Sequence, residues 1–190
     1  MLNKKSIITL LILIFSINTT SLMANTKLEI VNNLNSIETL KFEFIQISFE
    51  KKEDGICFLK RPHFLKCIYN NNKNQKELII NRTNLVIHHK RYNKTYYYPV
   101  SSSYFLEILN KKKFANIILE GSLNSNGEIF EVKHLGKKKG EITFFFNKKN
   151  LDLSGWEIID INGNHTNFQI KNLNKNQNLE KKIFNIPAIN

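Results

Sequence analysis

Gly55-Ile-Cys-Phe-Leu-Lys-Arg-Pro-His-Phe-Leu-Lys-Cys-Ile-Tyr69 is the stretch of sequence that decides how this chain folds. It predicts two short apolar β-strands that turn back on each other about Arg61-Pro62. Proline has a fixed backbone angle and no N–H to donate, so Pro62 is typical of a strand end or an edge. A cation held at a hairpin tip between apolar strands is a feature of a binding cavity more than of an active site.

The first 24 residues are predicted to form a cleavable export signal. Lys4-Lys5 gives a positive segment, an apolar run follows from Ile7 to Ile17, and Leu22-Met-Ala24 fits a small-residue cleavage site. The apolar run is shorter than the roughly 20 residues that a membrane-spanning helix needs. We therefore expect residues 25–190 to form one exported domain with a single core.

Most of the remaining chain is predicted to be antiparallel β-strand. In Leu40–Phe49 the apolar positions change parity, which predicts a β-bulge or burial on both faces. Tight hairpins are indicated at Asn126-Gly127 and at Asn162-Gly163-Asn164. The other predicted strands are Ile56–Lys60, Phe64–Tyr69, Lys76–Ile80, Leu85–His89, Thr95–Tyr98, Ile129–His134, Glu141–Phe146, Gly155–Ile161, Thr166–Lys171 and a short terminal piece at Ile183–Ile186.

Three helices are predicted beside these strands. Thr26–Leu34 carries a capping-box pattern with Thr26 as its N-cap, and Ser101–Asn110 and Lys113–Leu119 form an apolar helical segment. Together with the sequential strands, they predict an α+β fold in which the helices lie on one side of a curved sheet. Periodicity leaves open whether the helices pack solidly against the sheet or leave a slot, and aromatic residues on both strand faces favour the slot.

The chain is basic, with 28 Lys and Arg against 16 Asp and Glu and a net charge of +12. Such charge neutralises phosphates, so nucleic-acid binding is one interpretation. The lysines, however, mostly occupy predicted turns and lack the interleaved exposed aromatic residues of a single-strand binder. We interpret them as solvated turn residues whose charge would draw an exported protein towards anionic lipid headgroups or acidic partners.

An ordered set of short motifs resembles the LolA family of periplasmic outer-membrane lipoprotein carriers. Its members here are Phe44-x-Gln46, Gly55, Leu59-Lys-Arg-Pro62, Phe64, Tyr69, Ile159-Asp160-x-x-Gly163-x-x-Thr166, Asn172 and Phe184-x-x-Pro187. The set keeps the family's order over nearly all of the chain after residue 24. The chain departs from the family at residues 81–88, where an Asp-Gly turn and a Trp are replaced, and in a tail that is shorter than in longer members.

The resemblance implies the fold and the function of that family. The implied fold is an unclosed antiparallel β-barrel with a lid of short α-helices over an apolar cavity. The implied function is that of a monomeric, non-enzymatic periplasmic chaperone that binds the acyl chains of lipoproteins and carries them from the inner to the outer membrane. Its implied partners are acylated lipoproteins, an inner-membrane lipoprotein-releasing ABC transporter, and an outer-membrane receptor or the membrane itself; no cofactor and no nucleic acid are implied.

By the same resemblance, Arg61 matches the arginine that latches the lid. A guanidinium presents five donors in a planar fork, which suits helix-terminal carbonyls at the mouth of an apolar cleft. The alternative is a solvated cation at a hairpin tip. Candidates for contact with acyl chains are Phe44, Phe58, Phe64, Tyr69, Tyr97, Tyr104, Phe105, Ile108, Leu109 and Phe145.

The two cysteines, Cys57 and Cys67, are equally distant from Pro62. A hairpin symmetric about that proline would place them opposite each other, close enough for a disulfide in an oxidising compartment. A one-residue shift of register would leave two separate buried thiols instead. Both outcomes stay open at this point.

Patterns that carry catalysis or metal binding do not occur in the sequence: His-Glu-x-x-His, Cys-x-x-Cys, Gly-x-Ser-x-Gly and the P-loop are all missing. His88 and His89 would point to opposite faces of a strand and so would not share a metal ion. The favoured function is the lipoprotein chaperone. The alternatives are a related half-barrel that binds another lipid or senses envelope stress, and an exported basic protein that binds polyanions; an enzyme is not expected.

Overall fold

The computed structural model describes residues 23–70, 75–136 and 138–187. The predicted export signal, residues 1–24, therefore lies almost wholly outside the described part of the chain. Within that part, no helix combines the length and the apolar character that crossing a bilayer requires.

The body of the described chain is one antiparallel sheet of eleven strands. Along the chain these are β1 (Thr39–Ser48), β2 (Lys51–Lys60), β3 (Phe64–Tyr69), β4 (Lys76–Asn81), β5 (Asn84–His89), β6 (Lys94–Pro99), β7 (Ser122–Asn126), β8 (Ile129–Gly136), β9 (Gly140–Asn147), β10 (Leu153–Ile159) and β11 (His165–Lys175). Their order across the sheet is β6-β5-β4-β3-β2-β1-β11-β10-β9-β8-β7. Because β6 and β7 stand at the two ends of this order, the predicted barrel is unclosed, as expected.

Among the residues that the structure describes, three α-helices cover one side of the sheet. Helix α1 is described over residues 23–35, α2 is Phe105–Leu109 and α3 is Lys111–Glu120. The side chain of Asn110 caps α3 by accepting a hydrogen bond from the backbone N–H of Lys113 at 3.0 Å. The helices bury their apolar stripes against the concave face of the sheet, through Ile30, Val31, Leu34, Ile108, Leu109, Phe114, Ile117 and Ile118.

The β2–β3 hairpin has the symmetric register, one of the two that the sequence left open. Gly55 pairs with Tyr69 and Cys57 with Cys67, so the two strands are symmetric about the Arg61-Pro62 turn. Gly55 is required by a close approach of two strands, because a Cβ atom at that position would lie 2.0 Å from the carbonyl oxygen of Ile68. The turn therefore projects Arg61 from a rigid, well-defined hairpin.

Two local predictions are wrong, and one strand was missed. Thr26 is not an N-cap, because α1 is already helical at residue 23. The terminal piece is a 3-10 helix, Lys181–Phe184, rather than a strand. Strand β7 was not expected, since it is a polar edge strand. The β-bulge predicted within Leu40–Phe49 is present, because β1 shifts its register against β11 between Lys41 and Glu43, before the change of apolar parity, while it pairs with β2 without interruption.

Candidate functional site

A small closed cavity lies between the helices and the concave face of the sheet. Its volume is about 20 Å³, enough for about one water molecule. The lining is apolar apart from Arg61 and comprises Leu34, Ile37, Leu40, Phe42, Cys57, Leu59, Arg61, Leu65, Cys67, Phe105, Ile108, Leu109, Phe114, Leu153, Trp156, Phe168, Ile170 and Leu173. In this structure the helices therefore pack nearly solidly on the sheet, and the cavity is too small for an acyl chain.

A larger groove of about 250 Å³ continues from this cavity along the same face. It is lined by Gln46, Tyr69, Lys76, Leu78, Ile87, Phe105, Trp156, Ile158, Thr166 and Phe168. Phe105, Trp156 and Phe168 line both spaces. The side chain of Phe105, on α2, therefore stands at the boundary between the open groove and the closed cavity.

The floor of the groove is a stack of aromatic rings. Trp156 lies parallel to Phe168 with ring centroids 4.1 Å apart, and Phe168 stacks on Phe44 at 4.9 Å. The ring of Tyr69 meets Phe44 edge-on at 5.0 Å. Contacts of this kind add to the stability gained by burying the rings, so the floor is a preformed apolar surface.

Two polar groups mark the groove wall. The hydroxyl of Tyr69 donates a hydrogen bond to Oε1 of Gln46 at 3.0 Å, and the ammonium of Lys76 lies 3.8 Å from the centre of the Tyr69 ring. Burial, and then the nearby carboxylate of Glu53, raise the pKa of Tyr69, so its hydroxyl remains a neutral donor. The groove thus offers an apolar floor with a polar margin.

Arg61 lies at the closed end and contacts the helices above it. Its Nη1 donates to the carbonyl oxygens of Leu34 at 2.5 Å and Ile37 at 3.3 Å, and its Nη2 to that of Ile108 at 3.5 Å. The guanidinium also lies 5.9 Å from the centre of the Phe114 ring. One side chain from the β2–β3 turn therefore contacts α1, α2, α3 and the loop that follows α1.

The guanidinium of Arg61 is buried in an apolar setting, with 7% of the residue exposed. Burial lowers the pKa of Arg61 to about 10, while the carboxylate of Glu38 acts in the opposite direction. The group stays charged at neutral pH. Its Nε is buried without a hydrogen-bond partner in the described residues, so the hydrogen bonds of the guanidinium are those of its two Nη atoms to carbonyl oxygens.

The structure brings five of the ten predicted contact residues together on the concave side. Phe105, Ile108 and Leu109 line the closed cavity, Tyr69 lines the groove, and Phe44 supports the groove floor. Tyr104 lies elsewhere, in an outer cleft beside α3, where its hydroxyl donates to the carbonyl oxygen of Gly140 at 2.8 Å.

The other four, Phe58, Phe64, Tyr97 and Phe145, do not line the groove, which corrects the expectation that they face the cavity. Each has the opposite strand parity from a concave-face neighbour, and successive strand residues point to opposite faces. Phe64, for example, packs on the outer face against Phe184, with ring centroids 5.5 Å apart. Trp156 and Phe168 were missed, although they share parity with other apolar residues of β10 and β11.

Cys57 and Cys67 are joined by a disulfide, with an S–S distance of 2.02 Å. Both residues lie in the wall of the closed cavity, directly across the β2–β3 ladder. The bond therefore staples the hairpin that carries Arg61. In the described part of the chain, no three His, Cys, Asp or Glu side chains come together as metal ligands would.

Comparisons with known proteins agree with this geometry. The family model described as outer membrane lipoprotein carrier protein LolA matches residues 35–187. Among curated proteins, no sequence matches the chain.

Solved structures resemble this chain at low sequence identity. An uncharacterized conserved protein from Thermus thermophilus has a TM-score of 0.56 and 8% identity, covering 85% of this chain and 94% of its own. A DUF1329 family protein from Desulfovibrio piger has a TM-score of 0.52 and 9% identity, over 90% and 98%. A LolA superfamily protein from Nitrosomonas europaea has a TM-score of 0.45 and 8% identity, over 83% and 96%.

Proposed function

The chain belongs to the LolA family of outer membrane lipoprotein carrier proteins, and we propose that it is a periplasmic carrier that takes acylated lipoproteins from the inner membrane to the outer membrane. The observation that best supports this role is the continuous apolar surface shared by the groove and the closed cavity. The boundary between them is a side chain of a five-residue helix, Phe105 on α2. A short helix of this kind is the simplest element to displace when a hydrocarbon chain enters.

The proposed binding energy comes from removing acyl chains from water. Each buried methylene contributes roughly 0.8 kcal/mol, so a dozen methylenes contribute on the order of 10 kcal/mol before opposing terms. The opposing term here is the displacement of α2 and α3 from the sheet, which a ligand must drive. A carrier needs this competition, because tight binding without it would prevent release.

Arg61 is the proposed latch in that competition. Its three bonds to carbonyl oxygens favour the closed arrangement, and they break if the helices move away from the β2–β3 turn. Closing the lid again restores these bonds and so helps to expel the acyl chains. The proposed donor is an inner-membrane lipoprotein-releasing ABC transporter, and the proposed acceptor is an outer-membrane receptor or the membrane itself.

The direct test is lipoprotein release from spheroplasts. The purified protein should bring lipoproteins into the soluble fraction as a one-to-one complex. Ile158→Glu, which places a charge in the groove, should abolish release, whereas Tyr97→Glu, at an exposed position of β6 that does not line the groove, should not. A folded protein that leaves every lipoprotein in the membrane would contradict the proposal.

A second readout uses the single tryptophan of the chain, Trp156, on the groove floor. Lipoproteins with brominated acyl chains should quench its fluorescence on binding. If extraction of the purified protein instead yields a different lipid, with quenching by that lipid alone, the chain is a related half-barrel with another cargo.

A further inference from the structure

Besides the β3–β4 connection, which is described only at residues 70 and 75, four loops lie at the end of the sheet opposite Arg61. We call these four loops the distal rim: residues 49–50, 90–93, 138–139 and 160–164. Ser48 pairs with Lys51 on one side and with Thr166 on the other, which places the β1–β2 and β10–β11 turns side by side. The β8–β9 turn follows next along the sheet, because Ile159 pairs with Glu141. The β5–β6 connection lies at the same end on the other half.

Large apolar side chains are exposed at or beside each of these four loops. Phe49 is 75% exposed, Ile161 73%, Tyr92 55%, and Leu135, at the end of β8, 74%. Beside the described loops at the Arg61 end, the exposed large apolar side chain is Tyr98, one residue before the end of β6, at 46%. Single exposed apolar residues are common on protein surfaces, but the presence of one at or beside each of these four loops is a pattern.

The β1–β2 turn gives independent evidence that the exposure of Phe49 is not incidental. Phe49 and Glu50 both have positive φ, +49° and +60°, which is the backbone of a two-residue turn that normally carries Asn-Gly or Asp-Gly. A bulky residue is disfavoured in this conformation. A local conflict between residue type and backbone is typical of a functional position.

The distal rim carries an excess of positive charge. Within two residues of the four loops, the described basic residues are Lys51, Lys52, Lys90, Arg91, Lys94, Lys138 and Lys139, and the acidic residues are Glu50, Glu141 and Asp160. Lys51, Lys90 and Lys139 form ion pairs with Glu53, Glu77 and Glu107. Within the described part of the chain, Lys52, Lys94 and Lys138 are exposed and have no carboxylate at ion-pairing distance. Isolated apolar side chains among lysines suit the surface of a bilayer, where lysines contact the anionic headgroups and apolar side chains reach the acyl chains. A protein partner would favour one contiguous apolar patch.

The groove opens towards this rim. Gln46, Tyr69, Lys76, Ile158 and Thr166 line it, and each lies within two residues of a strand end on the distal side. A membrane that contacts the rim would therefore lie next to the groove mouth, on the side away from Arg61. Hydrocarbon could then pass between bilayer and groove with little exposure to water.

We propose that the distal rim is a docking surface for bilayers that contain anionic phospholipid, with Phe49, Leu135 and Ile161 at the headgroup level. The purpose of such docking rests on the proposed carrier function, but the contact itself needs no cargo. Electrostatic attraction brings the rim to the membrane, and the apolar tips hold it there.

The test is co-flotation with lipid vesicles. Protein recovered from the soluble periplasmic fraction of cells expressing the full chain should bind vesicles of phosphatidylcholine with phosphatidylglycerol about tenfold more strongly than phosphatidylcholine alone. Added salt should reduce the binding. Phe49→Asn should weaken binding about tenfold without loss of thermal stability, because Asn suits a positive φ.

Lys52→Glu has a matched control at the other end of the sheet. Lys149 is exposed in the β9–β10 turn, so Lys149→Glu changes the net charge equally but leaves the rim intact. We expect Lys52→Glu to weaken vesicle binding and Lys149→Glu to change it by less than about twofold. Equal effects of the two, or unchanged binding in Phe49→Asn, would overturn the proposal.

The same variants separate this inference from the carrier function. Vesicles are bound without cargo, so vesicle binding without lipoprotein release would sink the carrier function and leave the rim assignment standing. Lipoprotein release by a protein that does not bind vesicles would overturn the rim assignment and leave the carrier function standing. Variants that lose transfer to a receptor protein while still binding vesicles normally would assign the rim to an acidic protein partner and overturn membrane docking.

Discussion

The two ends of the sheet differ in how they are closed. At the Arg61 end, a buried guanidinium contacts three helices and the cavity beneath them is about 20 Å³; at the distal end, the groove is about 250 Å³ and its margin is polar. The hydrogen bonds that hold the helices to the sheet through Arg61 thus lie at one end, and the groove opens to solvent at the other. An acyl chain that enters the groove and the Arg61 hydrogen bonds that resist its entry therefore lie at opposite ends of one continuous apolar face. Substitutions at each end can be tested separately.

The largest expected effect comes from the floor that both ends share. Phe168 stacks against both Trp156 and Phe44, so Phe168→Ala should lower the free energy of unfolding by about 4 kcal/mol. Urea unfolding followed by circular dichroism measures this. A loss below about 1 kcal/mol would mean that the two ends do not depend on a common floor.

Removing the latch should affect the Arg61 end selectively. Arg61→Leu leaves the carbonyl oxygens of Leu34, Ile37 and Ile108 without their donor, which should cost about 3 kcal/mol of stability. Hydrogen exchange should rise in α2 and α3, and the variant should accept lipoproteins yet pass them on poorly, because closure no longer opposes binding.

Arg82→Leu, in the exposed turn between β4 and β5, is the matched control, since it removes the same type of side chain outside the cavity. It should change stability by less than about 0.5 kcal/mol. Normal onward transfer by Arg61→Leu would contradict the latch role even if the stability loss were observed.

The disulfide allows the Arg61 end to be tested without changing the groove, because it lies in the wall of the closed cavity but not in that of the groove. Replacing Cys57 and Cys67 together by alanine should lower stability by about 2 kcal/mol, as expected for opening a short loop. The reducing agent dithiothreitol should destabilise the natural protein similarly and leave the double variant unchanged. Loss of stability in the double variant on reduction would contradict this account.

The smallest expected effect is a pH dependence near the groove. Burial raises the pKa of Glu53, but hydrogen bonds from Lys76 and Lys51 outweigh it and lower the pKa on balance. A lowered pKa in the folded state adds stability at neutral pH that is lost as the pH falls through the acid range below about 4.5. Glu53→Gln should flatten that part of the stability curve, and an unchanged slope would show that these ion pairs contribute little.

The sequence predicted the architecture because its signals are local. Strand alternation and the Arg61-Pro62 turn predicted the β2–β3 hairpin, and the opposition of Cys57 and Cys67 is one of the two registers that the sequence left open. The motif resemblance supplied Arg61, whose carbonyl partners lie on other elements and leave no trace near it in the sequence.

The site was predicted less well because aromatic character was given more weight than strand parity. Phe64 and Tyr69 lie an odd number of residues apart in one strand, so they belong to opposite faces, and parity alone would have excluded Phe64. Strand β7 was missed because a polar edge lacks the apolar alternation that marks a half-buried strand. The near-solid packing under α2 depends on how side-chain volumes fit together, which periodicity does not report.

The position of Phe105 between groove and cavity has a consequence for selectivity by the proposed carrier. A hydrocarbon tail that enters from the distal side meets this ring before it reaches the contacts of Arg61. Tails too short to displace the ring would fill the groove and leave the lid undisturbed, whereas longer ones would push it open. The arrangement would therefore act as a gauge of tail length, with the threshold set by the distance from the groove mouth to one phenyl ring.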